Sequence, residues 1–286
     1  MDDRRITIPD LLSKKVSGRK ITMLTAYDYP LASLIAEAGV DLLLVGDSLG
    51  NVALGYDSTV SVTMEEMLHH SRAVRRAAPQ ALIVADMPFL SYQISGEQSI
   101  ANAGRLIQTG GADAVKVEGG NRRIAGITAA IIACGIPVMG HVGLTPQSAV
   151  MLGGYKVQGK DSENARRIVE EALALEQAGC FSVVLECLPA ALAEFISRRL
   201  KVPTIGIGSG SGCDGQVLVT HDLLGLTARG VPRFVKQYAD LRRTAAAALR
   251  EFLADVEERR FPAKEQAAAI DPAIIRGLAD VFKETS

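Results

Sequence analysis

Four apolar segments of this chain each end in an acidic residue, and their side chains could form one site. The segment DLLLVGDS places Asp47 after its apolar run, and ALIVADMP does the same with Asp86. Further along, AVKVEGG carries Glu118 and FSVVLECLP carries Glu186. Any one of them could be an ion-pair partner, but four acids with few basic residues beside them would repel one another. A divalent cation removes that repulsion, and oxygen-only ligands favour Mg2+ or Mn2+ over Zn2+.

Lys116 stands two residues before Glu118, inside an apolar run. In a strand this spacing puts both side chains on one face, and a lysine buried there is unfavourable unless it is paired. Three interpretations stay open at this point. Lys116 could bind an anionic group of a substrate, form a Schiff base as in lysine-type aldolases, or make a structural Lys–Glu pair.

His141 ends another apolar run, in GHVGLTPQS, and could be either a hydrogen-bonding residue or a catalyst. The glycine-rich segment GIGSGSGCDGQ at 206–216 follows the seventh predicted strand, a place where barrels often bind phosphate or another ligand group. His69 and His70 lie on a predicted helix, and His221 lies near the last predicted strand. Neither HExxH nor a Ser/His/Asp order occurs, which argues against a zincin or a serine hydrolase.

These side chains must be positioned by strands, and eight short apolar segments are typical of buried strands. They alternate with amphipathic, helix-like segments, and glycine recurs where a helix should end before a strand, as in EAGVDLLLV and TGGADAVKV. Continuous apolar strands are buried on both faces, so the pattern predicts a (β/α)8 TIM barrel, with a doubly wound open sheet as the alternative. The predicted strands are 21–27, 42–47, 81–86, 114–118, 137–142, 182–187, 203–208 and a weaker one near 217–221.

The C-terminal ends of all strands in such a barrel meet on one face, where active sites form. The four acids are therefore expected to converge on one pocket although they are distant in sequence. We expect one barrel domain over 1–286, with an N-terminal helix at about 7–17 and a helical tail at about 239–286.

Composition argues against several classes of partner. With 31 Lys and Arg against 32 Asp and Glu, no charge excess favours nucleic acid or an anionic membrane. No apolar run approaches the ~20 residues of a membrane span. The opening MDDRRITIPDLLSKK does not resemble a signal peptide, so we expect a cytoplasmic protein. The four cysteines lack a paired spacing and are expected to be buried free thiols.

Six motifs are LLLVGDSLGNVALGYDSTVSVT, VKVEGG, GHVGLTPQS, GGYKVQGK, LECLP and IGIGSGSGCDGQVLV. Together they resemble the ketopantoate hydroxymethyltransferase family, from about Thr22 to about Phe234. A departure occurs at Ser209, where the family usually has alanine. The resemblance implies a (β/α)8 barrel in a homodecamer built as a pentamer of dimers. It also implies Mg2+ as cofactor and 5,10-methylenetetrahydrofolate as co-substrate.

The implied reaction transfers a hydroxymethyl group to 3-methyl-2-oxobutanoate and gives 2-dehydropantoate, on the way to pantothenate and coenzyme A. The motifs match Asp47 and Asp86 to direct metal ligands at the substrate site. They match Glu118 to the acid beside the metal's water shell, and thus to the metal site. Ser48 and Lys116 match substrate-binding positions.

The resemblance also matches Glu186, in LEC, to the proposed general base, and His141 is a possible supporting residue. Chemistry agrees, because a 2-oxo acid can chelate Mg2+, which stabilises the enolate formed when a carboxylate removes the C3 proton. Two alternatives stay open. One is another Mg2+-dependent 2-oxo-acid lyase or mutase of the isocitrate lyase-like barrels, and the other is a non-catalytic protein that binds a metal or an oxo acid.

Overall fold

Eight parallel strands close into a barrel in which each strand pairs with its neighbours in sequence and β8 returns to β1. This computed structural model describes residues 5–228 and 230–282. The closed order confirms the predicted (β/α)8 barrel and excludes the open sheet. The strands are β1 (Ile21–Thr25), β2 (Leu42–Val45), β3 (Leu82–Asp86), β4 (Ala114–Lys116), β5 (Val138–Gly143), β6 (Ser182–Glu186), β7 (Thr204–Ile207) and β8 (Gly215–Leu218).

The helices of the barrel begin where the sequence offers capping groups. Helix α4, for example, begins at Met64 because Thr63 and Glu66 form a reciprocal capping box that satisfies two free N–H groups. The long helices between strands lie in the amphipathic segments that alternate with the predicted strands. The helices are α1 (Ile8–Ser17), α2 (Tyr29–Glu37), α3 (Leu49–Val52), α4 (Met64–Ala77), α5 (Gly96–Gln108), α6 (Arg122–Ala133), α7 (Ser162–Gln177), α8 (Ala190–Arg199) and α9 (Thr220–Leu223).

Helix α1 lies at the N-terminal ends of the strands. Leu11 on this helix is 1% exposed and joins the apolar cluster inside the barrel. Lys14 pairs with Asp41, just before β2, and Lys15 pairs with Asp214, just before β8. This end of the barrel is therefore covered, and substrates must reach the interior from the opposite end.

The chain divides into two compact units, Met1–Tyr238 and Ala239–Ser286. The second unit contains α10 (Leu241–Glu257) and α11 (Pro272–Val281). That the whole chain acts as one domain stays a prediction. Among the described residues, the helices are either too short or too polar to span a membrane.

Two predictions about local structure are wrong. The last strand, expected near 217–221, begins at Gly215, and His221 lies in α9 instead. A Cβ at Gly215 would lie 2.5 Å from the Ile21 carbonyl oxygen. Glycine at this position therefore allows β8 to approach β1 closely and does not mark a loop. Cys134 is exposed where a buried thiol was expected, because it caps the end of α6.

Candidate active site

The structure brings all seven predicted site residues together in one cavity of about 100 Å³ at the C-terminal ends of the strands. The acids are distributed around the barrel, on or just after β2, β3, β4 and β6. Convergence therefore follows from strand order and common direction, since no two of the acids are neighbours in sequence. The predicted residues that line this cavity are Asp47, Ser48, Asp86, Lys116, Glu118, His141 and Glu186.

Asp47 and Asp86 form the most buried acidic pair, each 3% exposed. The backbone N–H of Asp47 donates to Asp86 Oδ2 at 3.0 Å, which ties the end of β2 to the end of β3. Burial, followed by repulsion from Asp86, raises the pKa of Asp47 to about 7. Two carboxylates held this close in a dry site need a positive charge to remain ionised together.

Lys116 supplies part of that positive charge. Its ammonium nitrogen lies 3.1 Å from Asp86 Oδ1, its register partner on β3. Burial alone would lower the pKa of Lys116, but Asp86 and then Glu118 raise it above its usual range. The sequence pattern emphasised Glu118 as the partner, and there the structure differs, because β4 ends at Lys116 and Glu118 follows it in the loop.

His141 connects Lys116 to Glu186. The Lys116 ammonium lies 3.2 Å from His141 Nδ1, and an ammonium can only donate, so Nδ1 accepts and Nε2 carries the hydrogen. His141 Nε2 lies 3.2 Å from Glu186 Oε2, without the alignment of a full hydrogen bond. Burial and then Lys116 lower the pKa of His141 well below its usual value. The ring is therefore neutral and presents an N–H to Glu186.

Glu186 ends β6 with a side chain that is 15% exposed. Burial raises the pKa of its carboxyl to about 7, although the Lys116 ammonium lowers it in part. A carboxylate with this pKa can both remove a proton from carbon and return it near neutral pH. It borders the cavity on the side opposite the strands that carry Asp47 and Asp86.

The turn that follows Glu186 is held by the buried hydroxyl of Ser209. Ser209 Oγ donates to the Leu185 carbonyl at 2.8 Å and accepts from the Leu188 N–H at 3.1 Å. Between them, Cys187 adopts φ of 50°, a left-handed conformation that is strained for a residue with a side chain. The buried hydroxyl therefore stabilises the strand end that carries Glu186.

Ser48 follows Asp47 and stands at the start of α3. Its hydroxyl lies 2.7 Å from the hydroxyl of Tyr27, which is 1% exposed. The Ser48 hydroxyl can both donate and accept hydrogen bonds, and its contact with Tyr27 uses only one of these capacities. The remaining capacity is available to a ligand in the cavity.

Gln147 is the residue that sequence reasoning missed, although it stands in the quoted motif GHVGLTPQS. Its Nε2 donates to Asp47 Oδ2 at 2.9 Å and to the Met87 carbonyl at 3.0 Å. Its backbone N–H donates to Glu118 Oε2 at 3.0 Å, and its Oε1 accepts from the Tyr92 hydroxyl at 3.0 Å. The side-chain amide of Gln147 thus orients Asp47 and its backbone amide orients Glu118, a role that an uncharged residue in a turn does not reveal by type or spacing.

A cation bound directly by two carboxylates fits this site better than a complete protein cage. Within 5–228 and 230–282, no group of three His, Cys, Asp or Glu side chains is arranged to hold a metal. Asp86 Oδ1 is buried and lacks a hydrogen bond of good geometry from any described group. Mg2+ characteristically takes one or two carboxylates and completes its shell with water and substrate oxygens. Asp47 and Asp86 suit that mode of binding.

Replacement of Gln147 by leucine is expected to weaken binding of a divalent ion by about tenfold to a hundredfold, the scale for losing a partner that orients a ligand. Leucine keeps the volume but removes the donor to Asp47 Oδ2. Calorimetric titration of the substrate-free protein with Mg2+ measures the effect. Gln93→Leu is the matched control, because Gln93 donates to Gln147 Oε1 at 3.2 Å and, within the described residues, makes no hydrogen bond to Asp47. Equal affinities in the two variants would contradict the role of Gln147.

Comparison with known proteins identifies close relatives. A family model described as ketopantoate hydroxymethyltransferase matches residues 5–264. The chain is 55% identical over 274 residues to 3-methyl-2-oxobutanoate hydroxymethyltransferase of Carboxydothermus hydrogenoformans, which covers 96% of this chain and 99% of the relative.

Solved structures with a similar fold are more distant. Phosphonopyruvate hydrolase in complex with oxalate and Mg2+ is 16% identical, with a TM-score of 0.58 and coverage of 96% of this chain and 95% of that one. The 2,3-dimethylmalate lyase, a PEP mutase/isocitrate lyase superfamily member, is 15% identical, with a TM-score of 0.56 and coverage of 98% and 94%. At these identities the likeness concerns the fold alone.

Proposed function

The chain belongs to the ketopantoate hydroxymethyltransferase family, and from this premise we propose how its barrel site carries out the reaction. The enzyme transfers a hydroxymethyl group to 3-methyl-2-oxobutanoate and forms 2-dehydropantoate, a step of pantothenate biosynthesis. The alternative function, a 2-oxo-acid lyase or mutase, is supported only by structures of a related superfamily that share the fold. The site residues, the metal and the one-carbon donor are the subject of the proposal.

The observation that carries the proposal is the arrangement of Asp47 and Asp86 on one side of the cavity and Glu186 on the other. A 2-oxo acid between them presents its carboxylate and keto oxygens to one side and its C3 hydrogen to the other. Ser48 and the Lys116 ammonium bind its oxygens in this arrangement. The small volume of the cavity, about 100 Å³, suits an acid of this size.

We propose that Asp47 and Asp86 hold Mg2+, with Glu118 acting through the water shell. Bound there, the ion would polarise the keto group and stabilise the negative charge that develops as C3 loses its proton. Support comes from the buried pair of carboxylates, which the backbone N–H of Asp47 holds together through Asp86 Oδ2.

Glu186 is the base in this proposal. Its carboxylate takes the C3 proton, and the electron pair of the C–H bond moves toward the keto carbon to give an enolate. The Lys116 ammonium lies in the same cavity and favours the negative oxygen. The neutral His141 ring lies beside this carboxylate, with Nε2 3.2 Å from Glu186 Oε2, and limits its position by contact.

The donor in this proposal is 5,10-methylenetetrahydrofolate. Water adds to the methylene carbon of the donor, both C–N bonds to the folate nitrogens break, and the two hydrogens of the water end on those nitrogens. The enolate carbon then adds to the released formaldehyde, whose oxygen takes up the C3 proton held by Glu186 and becomes the new hydroxyl group. A steady-state assay with 3-methyl-2-oxobutanoate and this folate should give 2-dehydropantoate and tetrahydrofolate. Turnover of the oxo acid at the same rate without folate would contradict the donor and favour a lyase.

Lys116 is expected to form no imine with the oxo acid. Asp86 and Glu118 raise its pKa, so the amine stays protonated and is a poor nucleophile. Borohydride treatment in the presence of 3-methyl-2-oxobutanoate should leave the protein mass unchanged. A reduced adduct that maps to Lys116 would overturn this prediction and restore the aldolase interpretation.

From the resemblance we also propose that the protein assembles as a homodecamer, built as a pentamer of dimers. We propose the cytoplasm as its location. Sedimentation equilibrium of the purified protein tests the first of them directly.

A further inference from the structure

A second, larger cavity of about 500 Å³ opens beside the acidic one. The two cavities share part of their walls, including the proposed base. A ligand in the larger cavity therefore lies against the same carboxylate as a ligand in the smaller one. The residues that border both are Ser48, Pro146, Glu186, Ile207 and Val219.

Two aromatic side chains line this cavity while remaining open to solvent. Tyr155 is 61% exposed and Phe234 is 39% exposed. The position of Phe234 is set by Gly208, because a Cβ there would lie 2.8 Å from the ring. Exposed rings of this kind offer flat faces against which a planar ligand can stack.

Two cations also line the cavity. Lys156 and Arg233 are both exposed, and neither forms an ion pair with another residue in the described ranges. Elsewhere on the barrel, many basic side chains are paired, as Arg75 is with Asp113 and Arg167 with Glu171. Unpaired cations at the wall of a largely apolar cavity favour a ligand that carries carboxylate groups.

We propose that this cavity binds the one-carbon donor, a planar reduced pterin with an aromatic spacer and a carboxylate-bearing tail. The proposal rests on the function proposed above, in which the donor must deliver its carbon to C3 of the oxo acid. The acidic cavity, at about 100 Å³, is too small for such a ligand, whereas 500 Å³ lies in the usual range for ligand pockets. Tyr155 and Phe234 contact the rings, and Lys156 and Arg233 bind the tail.

This arrangement explains why Glu186 borders both cavities. The donor's reactive carbon enters from the larger cavity, and the C3 hydrogen of the acid faces the same boundary. One carboxylate can then act at the place where the new C–C bond forms.

Binding of tetrahydrofolate, which lacks the one-carbon unit and cannot react, tests the site without turnover. The chain contains no Trp, so the fluorescence of the ligand can be followed without tryptophan emission. In the Lys156→Ala/Arg233→Ala variant we expect a Kd about threefold to tenfold higher than in the wild type, the scale for two exposed charge contacts. Tetrahydropteroate, which lacks the glutamate tail, should bind the wild type and this variant equally.

Tyr155→Ser should weaken both ligands by about threefold to tenfold, because both retain the rings. Lys160→Ala is the matched control, since Lys160 is an exposed lysine of the same loop that does not line the cavity. Wild-type exchange of the C3 proton, measured without folate, tests the proposed function separately. If exchange occurs but the variants bind tetrahydrofolate as tightly as Lys160→Ala does, the donor site is elsewhere and this inference is wrong.

Discussion

Replacement of Glu186 by glutamine is expected to slow exchange of the C3 proton of 3-methyl-2-oxobutanoate with deuterated water by about a hundredfold or more. Glutamine keeps the shape of the side chain but has no basic oxygen. Exchange without folate isolates proton removal from carbon transfer and can be followed by proton NMR. The variant should still bind Mg2+ and the oxo acid, because Asp47 and Asp86 lie on the other side of the cavity.

Glu163→Gln on the exposed surface of α7 is the matched control and should exchange at the wild-type rate. Wild-type exchange in Glu186→Gln would remove Glu186 from the role of base. His141, whose Nε2 lies 3.2 Å from Glu186 Oε2, would then be the next residue to test.

The pH dependence of exchange gives a second measure of the same role. Burial raises the pKa of Glu186 to about 7, so the folded protein holds this proton at pH values where an ordinary glutamate has lost it. The active base is the ionised form. The exchange rate should therefore rise with pH through about 7 and level off above it. The titratable groups that interact with Glu186 are the neutral His141 ring, the charged Lys116 ammonium, the Tyr155 hydroxyl and the Asp47 carboxyl. Because the pKa of Asp47 is also raised to about 7, the profile is measured at saturating Mg2+, which favours ionised Asp47.

Most of the barrel could be predicted from the sequence because the hydrophobic effect acts on whole segments. Seven apolar runs gave strands within a few residues, and common strand direction was enough to bring the four acids together. The eighth strand begins earlier than predicted, at Gly215, because its position depends on close packing between backbones, which residue type does not reveal. Gly215 reads as a turn residue, yet it allows β8 to approach Ile21.

Within the site, the sequence predicts which kinds of side chain are present more readily than which residues they contact. Lys116 was expected to be a buried cation near acids, but its contact with Asp86 depends on the register between β3 and β4, which sequence spacing does not encode. Gln147 was missed because an amide has no charge and its importance comes only from what it contacts. Both cases concern contacts between segments that are distant in sequence, where local pattern carries no information.

Asp47→Asn is expected to abolish activity and to lower the affinity for Mg2+ by about a hundredfold or more, since a direct ligand should exceed the scale of residues that only orient one. Removal of the ion by a chelator should stop the wild-type enzyme, and added Mg2+ should restore it. Calorimetric titration gives the affinity in the absence of turnover. Full activity in excess chelator, with no metal bound, would eliminate the metal site.

Thermal unfolding distinguishes loss of the metal from loss of the fold. Asp47 and Asp86 are buried like charges, so removal of one charge should leave the metal-free variant at least as stable as the metal-free wild type. Asparagine also retains the backbone N–H that donates to Asp86 and an oxygen that can accept from Gln147. Added Mg2+ should then raise the melting temperature of the wild type but not that of Asp47→Asn, because a ligand stabilises only the state that binds it. An equal rise in both proteins would place the ion at another site.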